Sequence, residues 1–169
     1  MKNIKRVLCL VLTLLMVAST VSVFAAFSDV PTTVSYEKAV SALNQLGIIK
    51  GYDDGTFKPD NDVTRAEFTA MLMRTMGAGS IGSSSSADLP FSDVSDQNSD
   101  ISWSIPNINT AYKNGIVNGY EDGTFRPNDK VAYEEAVKMV VCALGYGENI
   151  SVDATPWYSN FMAQARSLG

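Results

Sequence analysis

The side chains available for chemistry in this chain are carboxylates, a few arginines and lysines, and aromatic rings. There is no histidine, which removes the commonest general base and metal ligand. Cys9 lies in an apolar run near the N-terminus, and Cys142 sits in Val140-Val141-Cys142-Ala143-Leu144, where it reads as core filling. Neither a catalytic triad nor a thiolate pair can be assembled from this set. Asp53, Asp54, Asp60 and Asp62 invite a calcium reading. With Gly55 at position 6 of an EF-hand loop, however, Lys50 falls at position 1 and Asn61 at position 12. Asp54-Gly55 is better read as a turn. Paired carboxylates can hydrolyse glycosides, but here they fall within turn and cap motifs. The sequence therefore predicts no catalytic centre and no cofactor or metal within these residues.

Arg65 stands apart. In Asn61-Asp62-Val63-Thr64-Arg65-Ala66-Glu67-Phe68, Thr64 and Glu67 have the spacing of a capping box, which opens a helix by reciprocal hydrogen bonds. Arg65 then takes the first helical position, where a cation is mildly unfavourable against the helix dipole. It becomes sensible if an anion docks there, on free amides and the guanidinium together.

The elements around Arg65 recur. Gly51-Tyr52-Asp53-Asp54-Gly55-Thr56-Phe57-Lys58-Pro59 returns 68 residues later as Gly119-Tyr120-Glu121-Asp122-Gly123-Thr124-Phe125-Arg126-Pro127. Phe27-Ser28-Asp29-Val30 returns as Phe91-Ser92-Asp93-Val94. In the first copy Tyr36, Ala39, Val40, Leu43 and Leu46 form a helical stripe, closed by Gly47. A second helix carries Phe68, Met71, Leu72 and Met76. Its counterpart carries Val137, Val140, Val141 and Leu144 and stops at Gly145. Each copy thus reads as helix, loop, helix, and the fold class is mainly α. One such pair buries its stripes poorly, so the copies are expected to share a core. The second helix start departs from the first: it reads Ala132-Tyr133-Glu134-Glu135, without the threonine or the arginine. Lys130 is the nearest substitute cation.

Residues 78–90 begin with a Gly/Ser-rich stretch read as a linker between copies over 27–77 and 91–146. From residue 150 a third copy starts. Placing Trp157 on Trp103 brings Gly169 onto Gly115, so the sequence is expected to be part of a longer protein. Trp103, Trp157 and Tyr158 are open to two readings, as core anchors or as platforms for sugar rings.

Residues 1–25 combine Lys2, Lys5 and Arg6, the apolar run Val7 to Val17, and small residues before a cleavage point after Ala25. That pattern predicts a secretory signal, too short for a comfortable membrane span. Removing it takes three of 13 basic residues and none of the 18 acidic ones, leaving 10 against 18, a net charge of −8. So acidic a surface argues against nucleic acid and against anionic lipid. A lone mature cysteine leaves stability to packing.

Phe-Ser-Asp-Val, Gly-Tyr-x-Asp-Gly-Thr-Phe-x-Pro and Thr-Arg-Ala-Glu, in that order behind an export signal, resemble the S-layer homology domain family over residues 27–169. The resemblance implies three repeats around a pseudo-threefold helical bundle, the third cut short here. It implies a secreted protein held non-covalently at the cell wall or S-layer, with a secondary cell-wall polysaccharide, often pyruvylated, in grooves between repeats. Some relatives bind peptidoglycan instead. Carried over residue by residue, Arg65 is the implied carboxylate contact, framed by Thr64 and Glu67. Gly51 and Tyr52 begin a groove wall, and Asp29 belongs to the opening motif. Gly119, Tyr120 and Asp93 match in the second copy. What is anchored stays open: a surface enzyme such as a glycoside hydrolase, or a lattice protein that self-associates through further domains.

Overall fold

A computed structural model describes residues 27–79 and 85–169. The expected export signal, and residues 80–84 of the expected linker, lie outside the described residues. The first copy contains helices α1 (Glu37–Gln45) and α2 (Arg65–Thr75). The second contains α3 (Ser99–Ser102), α4 (Ile105–Lys113) and α5 (Tyr133–Ala143). A 3-10 turn over Gly147–Asn149 and α6 (Ser159–Leu168) follow. Among the described residues there is no strand, only an isolated antiparallel bridge between Thr64 and Lys130. The mainly α class expected from the periodicity is what the chain adopts.

Helix ends follow local chemistry. Gly47 (φ 71°) and Gly145 (φ 84°) take the left-handed conformation just past α1 and α5, at little steric cost for glycine. Asn98 opens α3 by accepting from the Asp100 amide at 3.1 Å. Pro106, in the first turn of α4, occupies a position where a missing N–H costs nothing.

The copies share a core, as expected. Met73 of α2 is buried with Ile101, Ile105, Ile108, Phe125 and Met139 of the second copy, and Phe68 and Leu72 pack against that cluster. The packing runs as a relay, with α2 against α4 and α5, and α5 against α6. Burial of a side chain the size of Phe125, fully inaccessible here, stabilises by about 2–3 kcal/mol.

All three expected stripes are placed differently, and on α5 Met139 and Val141 are buried while Val140 and Leu144 are exposed. The interior face of α2 is Ala66, Thr69, Ala70 and Met73, all essentially inaccessible, whereas Met76 is exposed. Small residues let helix axes approach, and the larger Phe68 and Leu72 fill the flank. On α1 only Val40 is buried, and Tyr36, Leu43 and Leu46 face solvent. The difference has a tertiary cause: α4 is buried because α2 lies on it, and no helix among the described residues packs extensively on α1. The two tryptophans also stay half in solvent, Trp103 at 47% and Trp157 at 40% exposure. Isoleucines and Phe125, not tryptophan, fill the core.

Candidate functional site

The two Gly-Tyr loops are built alike. The Tyr52 amide donates to the Thr56 carbonyl, the Gly55 amide to the Tyr52 carbonyl, and Tyr120 and Gly123 repeat both bonds. Asp54 accepts from the Thr56 amide at 3.0 Å and Asp122 from the Thr124 amide at 3.0 Å. These are turn-forming roles, as the sequence suggested. Each loop is tied down by the aspartate of the opening motif. Asp29 accepts from the Phe57 and Lys58 amides at 2.8 and 2.7 Å, and Asp93 from the Phe125 and Arg126 amides at 2.7 and 2.7 Å. The clamp holds Lys58 and Arg126 at φ 56° and 58°, a conformation L-residues otherwise avoid. Desolvation pushes the Asp29 carboxyl up, but the donated amides outweigh it and keep it below the ordinary carboxylate value.

The loop tyrosines point at the helix-opening glutamates. Tyr52 donates to Glu67 at 2.7 Å, and Tyr120 donates to Glu135. Both phenols are pushed up to about 12, first by desolvation and then by the carboxylate that accepts their hydrogen bonds. Glu67 closes the expected capping box. Its Oε2 accepts from the Thr64 amide at 2.8 Å, and its own amide donates to Thr64 Oγ1 at 3.2 Å. The second copy keeps half of this. The Ala132 amide still donates to Glu135 Oε2 at 3.0 Å, but alanine offers no oxygen to the Glu135 amide. Thr64→Ala makes the same deletion in the first copy. It is expected to lower unfolding stability by about 1 kcal/mol, read as a shifted urea midpoint at constant slope.

Arg65 crosses from the first copy into the second. It is 4% exposed. Its Nε donates to the Phe125 carbonyl at 2.8 Å, and its Nη1 lies 3.0 Å from Glu135 Oε2. The guanidinium carbon sits 4.7 Å from the centre of the Tyr120 ring and 4.9 Å from that of Phe125. Arg126 covers Tyr120 at 3.9 Å. Nη2 has no hydrogen-bond partner among the described residues. The amides expected to be free for an anion are in use: Arg65 donates to the Asp129 carbonyl at 2.9 Å and Ala66 to that of Pro127 at 3.0 Å. The loop of the second copy thus caps the helix of the first. Lys130 also belongs to this junction, 2.7 Å from Asp62, rather than substituting for the arginine missing from the second helix.

The nine candidate residues therefore fall into groups. Arg65 and Tyr120 meet at the junction. Asp29, Gly51, Tyr52, Thr64 and Glu67 form the loop-and-cap frame of the first copy, and Asp93 and Gly119 brace the loop of the second. Sequence reasoning missed the pairing of Arg65 with Glu135. The signal was there, since the second copy keeps its glutamate after losing its own arginine, but it needed a partner sought in the neighbouring copy.

The sequence matches the S-layer homology domain over residues 26–69 and 90–137. It is 33% identical over its whole length to a cell surface protein of Thermoanaerobacter kivui, covering 22% of that protein. It is 35% identical over 68% of the chain to a surface layer protein of Brevibacillus choshinensis, covering 10% of it. An endoglucanase of Bacillus sp. (strain KSM-635) is 37% identical over 73% of the chain, which covers 12% of the enzyme. The chain spans about a fifth or less of the length of these relatives.

Proposed function

This chain belongs to the S-layer homology domain family, and we propose that it anchors its protein by holding an acidic secondary cell-wall polysaccharide at the junction between its repeats. Membership makes it a secreted, cell-surface module associated with the wall. The observation that supports the finer reading is the arginine of one repeat reaching into the loop of the next. There its Nε and Nη1 are engaged by the Phe125 carbonyl and Glu135, while Nη2 has no hydrogen-bond partner among the described residues. A guanidinium with a free donor edge fits a carboxylate such as that of a pyruvate ketal. The relatives' names span surface layer proteins and an endoglucanase, so the anchored activity is read as varying while the anchor stays the same.

The test is retention of the exported protein on purified cell-wall sacculi, half of them stripped of secondary polymer with hydrogen fluoride. Retention on native sacculi that disappears on stripping is the expected result. Equal retention on both would move the ligand to peptidoglycan, and no retention on either would overturn the anchoring role.

A further inference from the structure

Four steps in the chain place an aspartate or asparagine directly before a glycine: Asp54-Gly55, Asn114-Gly115, Asn118-Gly119 and Asp122-Gly123. Such a step can close on itself. The glycine nitrogen attacks the side-chain Cγ of the preceding residue to form a five-membered imide, and glycine has no side chain to obstruct the approach. Asparagine is the more reactive of the two, since a carboxylate repels the nucleophile.

The fold protects three of the four. The Gly55 amide donates to the Tyr52 carbonyl at 2.9 Å, the Gly115 amide to that of Tyr112 at 3.0 Å, and the Gly123 amide to that of Tyr120 at 3.0 Å. Their neighbours' side chains are held as well. Asp54 accepts from Thr56 and Asp122 from Thr124, while Asn114 Nδ2 donates to the Thr110 carbonyl at 2.8 Å. These bonds must be given up before the ring can form, and each slows it. Asn118-Gly119 differs in both halves. The Asn118 side chain is exposed and has no hydrogen-bond partner among the described residues, and the Gly119 amide meets no acceptor among them. The first copy has Lys50 at this position, so the chemistry belongs to the second loop.

We propose that Asn118 is a site of spontaneous deamidation, and that one of its products loosens the loop in which Arg65 is held. A bond forms from Gly119 N to Asn118 Cγ as the Cγ–Nδ2 bond breaks. The proton lost by the Gly119 amide leaves with the departing group as ammonia. Water then opens the imide. Attack at Cγ breaks the new bond and leaves aspartate on an unchanged main chain. Attack at the Asn118 backbone carbonyl carbon breaks the original peptide bond and leaves isoaspartate, whose main chain runs through Cβ and Cγ and is one carbon longer. That carbon falls between two fixed points. Val117 is buried in the shared core, and a Cβ on Gly119 would already lie 2.5 Å from the Phe91 ring and 2.7 Å from the Thr124 carbonyl oxygen. Displacing Gly119 displaces Tyr120, whose ring centre lies 4.7 Å from the Arg65 guanidinium carbon. The chemistry stands whether or not the chain binds wall polymer.

The test is to age the exported protein in warm, mildly alkaline buffer, folded or in urea, and to follow both Asn-Gly peptides by mass spectrometry. Isoaspartate is detected with its specific methyltransferase. In the folded protein Asn118 is expected to convert at least about tenfold faster than Asn114. In urea, where no hydrogen bond protects either, the two rates should converge. Equal rates in the folded protein, or an Asn118 left intact after the unfolded chain has been fully converted, would overturn the site. Asn118→Gln has to close a six-membered ring, so it should keep both its amide and its urea midpoint through ageing. The aged parent should lose midpoint in proportion to its isoaspartate content, while freshly made Asn118→Asp should unfold like the fresh parent. An aged parent rich in isoaspartate at position 118 with an unshifted midpoint would overturn the effect on the loop.

Discussion

Gly119→Ala is expected to destabilise the protein by about 3 kcal/mol, combining backbone strain with overpacking. Gly119 sits at φ 71°, and a Cβ there would lie 2.7 Å from the Thr124 carbonyl oxygen and 2.5 Å from Cε1 of Phe91. Neither neighbour can retreat. The Thr124 carbonyl accepts the Tyr120 amide inside the loop. The Phe91 ring is buried between Phe125 and Tyr112, each 5.4 Å away. Gly123 supplies the control four residues on. Its φ is 77°, but a Cβ would meet nothing within 4 Å, so Gly123→Ala should cost only the strain, about 1 kcal/mol. Urea unfolding of the two variants should therefore differ by about 2 kcal/mol. Equal losses would mean that the loop opens to accommodate the methyl group, and that the motif glycine is not fixed by packing. Gly51, which meets Phe27 and Thr56 in the same way, carries the same expectation in the first repeat.

That contact also explains a motif the sequence displayed without explaining. Phe-Ser-Asp-Val and Gly-Tyr-x-Asp-Gly-Thr-Phe-x-Pro recur together because they are one object: the phenylalanine lies on the loop glycine, and the aspartate clamps the loop amides. The mainly α class, the capping box at Thr64 and the glycine stops were legible because each is set within a few residues. What could not be read was set between repeats. Periodicity picks out large apolar residues, so it marked Phe68, Met71, Leu72 and Met76 on α2. The interior face proved to be Ala66, Thr69, Ala70 and Met73, where small side chains admit a neighbouring helix. The α1 stripe falls on a helix and its caps, but only Val40 of it is buried, because a stripe does not say whether a partner covers it. Nor does a tryptophan announce whether it fills the core or the surface. The anion expected at the α2 N-terminus followed soundly from free amides, yet those amides meet carbonyls that belong to the next repeat.

Arg65→Ala is expected to lower stability by about 3 kcal/mol, the range for breaking one side of a buried ion pair. An exposed ligand contact would be removed at almost no cost. Here deletion strands Glu135 in a site where burial already pushes its carboxyl up. Hydrogen bonds from Tyr120 and Ala132, and Arg65 itself, now hold it below the ordinary value. The Phe125 carbonyl loses its donor as well. Glu135→Ala should cost less than the arginine deletion, since Arg65 would keep its Phe125 bond and its ring contacts. The double variant should recover part of the loss, with a coupling of about 2 kcal/mol. Arg65→Lys keeps the charge but loses the planar stack on Tyr120 and the bidentate reach, so it should fall between. Sacculus retention, measured on each variant well below its unfolding midpoint, then separates joint from ligand contact. If retention falls with Arg65→Ala but survives Glu135→Ala, the guanidinium binds polymer directly. If both variants lose retention in proportion to the stability each has lost, Arg65 is a joint that holds two repeats in register.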